Sequence, residues 1–156
     1  MKELIGRRVD AIDVEKAKQE WIVFHTDAGP LCYHAEADCC SETWFSDIIG
    51  LEQLIGQKVS SVEEITIPDS VSGLIDRDGR GRQESDTLYG YLIENGSWRN
   101  GCKIFFRNSS NGYYGGSLSD PIEIPKTRRE YYDAKDEPLE WERIEKDWSA
   151  GATKDE

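Results

Sequence analysis

Runs of alternating apolar and polar residues, punctuated by turn residues, divide the first four fifths of the chain into strand-length pieces. Glu20-Trp21-Ile22-Val23-Phe24-His25-Thr26 concentrates aromatic and β-branched side chains and predicts a strand. Asp27-Ala28-Gly29 turns it, with Gly29 able to take a positive φ, and residues 30–36 return as its hairpin partner. Alternation along the return puts Cys32 and His34 on one face and Leu31, Tyr33 and Ala35 on the other. Further strands are expected over residues 58–67, 87–94 and 102–107. Pro68 ends the first, and Asn95-Gly96 and Asn100-Gly101 reverse the chain between the other two. Asn111-Gly112 turns the chain again, and Tyr113-Tyr114 opens a last strand before Gly115-Gly116.

Helical signals interrupt this pattern. Ser41 can cap a helical turn over residues 42–49 that stops at Gly50, and residues 51–55 make a second short piece ending at Gly56. Near the C-terminus Trp141, Ile144 and Trp148 fall on one helical face, with Pro138 in the first turn and Gly151 at the stop. The spacing predicts an amphipathic helix laying an aromatic stripe on the sheet or on a partner. The expected fold class is therefore α+β: an antiparallel sheet or small β-barrel of about seven strands, with short helices and a C-terminal amphipathic helix. Residues 1–126 form the β-rich core domain and 127–156 an acidic helical extension packed on it.

Leu4-Ile5-Gly6-Arg7-Arg8-Val9 returns as Leu54-Ile55-Gly56-Gln57-Lys58-Val59. Two matches this short indicate two similar strand entries rather than a duplication. Residues 69–86 make a long polar connection, a length that marks a functional or a mobile segment.

At 156 residues the chain suits one domain with a sizeable core. Its 37% apolar and 32% charged residues contain no apolar run approaching the roughly 18 that a membrane span needs. The first residues lack an apolar leader, so a cytoplasmic location is expected. Net charge is −12, which opposes binding along a phosphate backbone. Residues 130–156 hold ten acidic and four basic side chains, so 4 − 10 gives −6, half the total. Such a surface can engage a basic partner or imitate nucleic acid.

Four groups of residues offer chemistry. Cys32, His34, Cys39 and Cys40, with His25 across the hairpin, are soft ligand types, but adjacent cysteines project apart and the usual paired zinc spacing is missing, so packing is the plainer role. In the long connection Asp76 and Asp78 start like a calcium loop, yet Arg80 and Thr87 occupy positions that need oxygen ligands. Arginines 77, 80 and 82 can instead fold over an anion, or simply balance a solvated loop. Residues 107–116 combine arginine, asparagine, serine, glycine and tyrosine, which suits a nucleotide-like ligand and equally a hairpin turn. Cys39, Cys40 and Ser41 near His34 supply nucleophile types, but nothing marks an orienting third group or an oxyanion site. No catalytic residue, metal or cofactor is assigned.

The run from Asp38-Cys39-Cys40-Ser41-Glu42 through Trp44-Phe45-Ser46-Asp47-Ile48, then Leu54-Ile55-Gly56, and later Ser110-Asn111-Gly112-Tyr113-Tyr114, resembles a group of small bacterial and phage proteins. They share an Asp-Cys-Cys motif near an aromatic residue and a Ser-Asn-Gly-Tyr-Tyr motif. The likeness covers roughly residues 4–118. This group is similar to the phage Thoeris anti-defence sponge proteins, which sequester cyclic ADP-ribose-type signals without cleaving them. The resemblance implies capture of a cyclic nucleotide signal at a homo-oligomer interface, in the host cytoplasm for a phage protein. The implied contacts are Arg107, Asn111, Phe105 or Tyr113, and Arg128 or Arg129. The expected function is thus a non-enzymatic binding protein sequestering a small anionic, nucleotide-like ligand. The alternative is an acidic interaction or nucleic-acid-mimic module that inhibits a basic partner.

Overall fold

The computed structural model describes residues 1–38, 40–67, 85–96, 101–110, 115–129 and 136–150. The strands are β1 (Arg8–Glu15), β2 (Trp21–Thr26), β3 (Gly29–Ala37), β4 (Glu42–Ile49), β5 (Gln57–Lys58), β6 (Ser61–Ile67) and β7 (Ser85–Glu94). They continue with β8 (Cys102–Ser110), β9 (Gly116–Leu118), β10 (Thr127–Arg129), β11 (Asp136–Pro138), β12 (Trp141–Ile144) and β13 (Trp148–Ser149). One sheet runs β12-β1-β2-β3-β9, with β5 also beside β1; the second runs β13-β4-β8-β7-β6; β10 and β11 form a separate ribbon. Every strand pairing in these sheets is antiparallel.

The two sheets share one core. Ile12, Val14, Ile22, Phe24 and Tyr33 from the first meet Phe45, Ile48, Ile104 and Phe106 from the second. Tyr89 stacks on Phe106 with centroids 5.0 Å apart, and Phe24 meets Tyr33 edge-on at 6.0 Å. The hairpin of β2 and β3 pairs Trp21 with His34 and Thr26 with Gly29. Leu31, Tyr33 and Ala35 face the core as alternation predicts, while Cys32 and His34 lie on the opposite face.

The expected α component is absent from the described residues. Single 3-10 turns at Lys2–Leu4 and Leu51–Gln53 are the only helical pieces there, and none is long and apolar enough to cross a membrane. Residues 42–49, expected as a helical turn, are strand β4. Its Thr43, Trp44, Phe45 and Ile48 favour a pleated backbone. Burial on both faces erases the alternation that would have marked it, and a bulge between Phe45 and Asp47 breaks the period further. The expected C-terminal helix is also replaced by strands. Trp141 and Ile144 lie in β12, which pairs with the edge of β1, and Trp148 lies in β13, which pairs with the edge of β4. Two open sheet edges outcompete a helix that would satisfy only its own backbone. The last strand expected from Tyr113-Tyr114 and residues 69–84 of the connection expected at 69–86 lie outside the described residues; residues 85–86 instead open strand β7.

The short sequence repeat proves to be a structural one. The Gly6 N–H donates to the Val59 carbonyl at 2.8 Å, and the Gly56 N–H donates to the Val9 carbonyl at 2.7 Å. Arg8 and Lys58 are register partners, so they sit on a local pseudo-two-fold axis. Leu4, Leu54, Val9 and Val59 are all buried. On either side the chain makes a 3-10 turn, a three-stranded meander (β1-β2-β3 or β6-β7-β8) and then a strand that crosses over. β4 pairs with β8 of the other half, and β9 pairs with β3. The C-terminal strands lie outside this duplication and cover its two edges.

Candidate functional site

On the first sheet, Glu15 at the end of β1 is 1% exposed. Its carboxylate accepts N–H bonds from Ala17 at 2.5 Å and Lys18 at 3.1 Å, which folds the next residues into a tight turn. Arg128 from β10 reaches the same carboxylate with its guanidinium. The guanidinium carbon also lies 5.2 Å from the centre of the Trp21 ring. His34 stacks against Trp21 at 4.7 Å. Burial pushes the Glu20 carboxyl up, but the His34 imidazole 3.8 Å away and the charges of Arg128 and Lys18 outweigh it and hold the group below its ordinary value.

Beside this cluster, Cys32 is covered through a bridge to Ile122, and burial raises its thiol to about 12. His25 is occupied by Asp13 at 2.7 Å, and Asp13 also accepts from Arg143 at 2.6 Å. Cys40 is exposed, with a φ of 65°, and Cys39 lies outside the described residues. Among the described residues no group of three or more histidine, cysteine, aspartate or glutamate side chains is placed to hold a metal ion.

The second sheet holds Arg107, 1% exposed, with its guanidinium carbon 5.1 Å from the Trp44 ring centre. Trp44 is its direct cross-strand partner. Asn108 donates to Thr43 at 2.9 Å and to Ser41 at 3.1 Å, so the polar end of β8 is tied to β4. Phe105 is buried against Gly90, where an added Cβ would meet its ring at 2.8 Å. The Phe105 ring is therefore a packing element rather than an open stacking platform. Arg107 and Phe105 thus belong to one sheet and Arg128 to the face of the other. The backbone of Arg129 pairs with Asp136 in the β10–β11 ribbon. Asn111 and Tyr113 lie outside the described residues.

A cleft of about 900 Å³ opens where the β1–β2 turn faces the C-terminal strands. Trp141 and Glu142 of β12 form one wall, Lys16, Lys18 and Glu20 another, and Trp148 and Glu42 complete it. The turn is fixed in place by Gln19, whose φ is 55° and whose carbonyl accepts the Phe45 N–H at 2.7 Å. The Ala150 N–H, donating to the Ser46 carbonyl at 2.8 Å, anchors the opposite side. Trp148 is nine-tenths buried, and its indole N–H has no acceptor among the described residues. The helical reading of this segment hid the cleft, because it placed both tryptophans on one continuous face.

An all-β domain built on an internal pseudo-two-fold, with a C-terminal strap over both edges, is the class of protein defined by these features. Residues 2–119 match the family described as Domain of unknown function (DUF7448), and the chain belongs to it. The match spans the duplicated core and stops before β10. Uncharacterized protein L278 of Acanthamoeba polyphaga mimivirus is 35% identical over 91 residues, covering 54% of this chain and 62% of that protein. The match thus spans less than two thirds of that relative's length. No solved structure matches the chain.

Proposed function

We propose that the protein is a non-enzymatic binding module that engages a basic partner through the side built by its C-terminal strands. The observation that carries this is the fate of the arginines. Arg107 and Arg128, expected to face an anion, are 1% and 7% exposed and are turned onto Trp44, Trp21 and Glu15. The carboxylates, in contrast, stay outside: Glu137, Glu140, Glu145 and Asp147 are exposed along the strap. Over residues 137–147 five acidic and two basic side chains give 2 − 5, or −3, and Arg143 is already paired with Asp13. A field of that sign draws in cationic segments and repels phosphates.

Capture of an anionic nucleotide would need both arginines to meet around one hollow. Arg107 is instead turned onto Trp44 in the second sheet, and Arg128 reaches from its ribbon onto Trp21 and Glu15 of the first, which favours the basic partner. Calorimetric titration of the full chain with short oligolysine, oligoarginine and oligoglutamate peptides, and with a panel of cyclic nucleotides, tests the choice. Binding of the basic peptides tighter than about 0.1 mM, without binding of the others, is expected. Binding of a cyclic nucleotide alone would contradict it.

A further inference from the structure

We propose that the cleft between the β1–β2 turn and strands β12 and β13 is the docking site for an extended, arginine-containing segment of the partner. The inference rests on the basic-partner reading and adds to it the place and the side chain recognised. The molecule itself shows how it holds arginine. Arg128 lies over Trp21 with Glu15 and Glu20 beside it, and Arg107 lies over Trp44. The tryptophan face recurs in both, and in the case of Arg128 carboxylates stand beside it. The cleft repeats those ingredients, with Trp141 and Trp148 alongside Glu20, Glu42 and Glu142, but none of its lining residues among those described is an arginine.

The size of the cleft selects a peptide over a free cation. The volume, about 900 Å³, lies near the top of the range of roughly 300–1,000 Å³ for ligand pockets and exceeds what one guanidinium fills. Lys16 and Lys18 also line the cleft, but Glu20, Glu42 and Glu142 outnumber them, so the lining carries a net negative formal charge.

The test is an NMR titration of the full ¹⁵N-labelled chain, following the indole N–H signals of its five tryptophans. Trp141→Phe and Trp148→Phe variants assign the two cleft signals and keep the ring bulk that folding needs. An oligoarginine peptide should move the Trp141 and Trp148 signals. Oligolysine should bind several-fold more weakly. Trp141→Ala and Glu142→Gln should each weaken oligoarginine binding by about fivefold. If calorimetry shows oligoarginine binding while both cleft signals stay fixed, the cleft assignment is overturned and the basic-partner reading stands. If no basic peptide binds at all, both fall. Equal shifts from oligoglutamate would also overturn the assignment.

Discussion

Glu15 on the first strand and Arg128 on the C-terminal ribbon form a buried ion pair that joins residues 113 positions apart. Both side chains are nearly inaccessible, at 1% and 8% exposure. A buried charge that loses its partner is left with an unrecovered desolvation penalty. Arg128→Ala should therefore lower unfolding stability by roughly 3 kcal/mol, since the N–H groups of Ala17 and Lys18 still compensate part of the Glu15 charge. Urea denaturation of Arg128→Ala, Glu15→Gln and the double variant should show that the second change costs far less once the first is made. Full additivity would mean that the pair is not coupled.

Acid should weaken the same sheet. Burial pushes the Asp13 carboxyl up, but hydrogen bonds from Arg143 and His25, and their charges, outweigh it and hold the group below its ordinary 3.8. Glu20 is depressed in the same way by His34, Arg128 and Lys18. A folded-state value below the unfolded one gives stability that is present above the unfolded value and lost as the pH falls through the folded one. Asp13→Asn should therefore melt below the parent at neutral pH. The gap should close as the pH drops below about 4. A constant difference in melting temperature across that range would contradict the linkage.

The pseudo-two-fold makes a paired prediction at Gly6 and Gly56. Both take φ near +80°, at 85° and 80°, and neither has any atom within 4 Å of an added Cβ. Alanine at either position should cost only the left-handed backbone penalty, about 1–2 kcal/mol, and the two should cost the same. Gly101 differs, because a Cβ there would stand 2.2 Å from the Ile93 carbonyl oxygen. Gly101→Ala should destabilise by clearly more than either, as read from denaturation midpoints.

Thiol accessibility divides the cysteines. Burial raises Cys32 to about 12, and burial together with the Asp147 charge raises Cys102 to about 12. Both should resist iodoacetamide at neutral pH in the folded protein, whereas exposed Cys40 should be labelled. Peptide mapping after brief labelling checks this; modification of Cys102 without unfolding would refute its buried placement.

The sequence revealed the elements whose signals are local. The β2–β3 hairpin, the face division between Tyr33 and His34, and the pairing of β7 with β8 follow from alternation and turn residues that sit next to each other in the chain. What depends on distant partners was hidden. β4 is covered on both faces, so it carries no period of two. Trp141, Ile144 and Trp148 have helical spacing, yet two vacant sheet edges far away in sequence decide their conformation. Arg128 enters from the sequence only as a ligand contact that the resemblance implies, and its actual partner Glu15 lies 113 positions away, beyond the reach of local pattern. The Leu-Ile-Gly repeat was visible, but its meaning depended on the reciprocal bonds of Gly6 and Gly56.

The most direct test of the binding account is the salt dependence of oligoarginine affinity for the full chain, measured by calorimetry. Attraction between an acidic surface and a cationic segment weakens as the Debye length shortens from about 10 Å at 0.1 M salt. The account predicts a dissociation constant that rises steadily with salt, with no binding of oligoglutamate under any condition. An affinity for oligoarginine that is independent of salt, or matched by oligoglutamate, would contradict it.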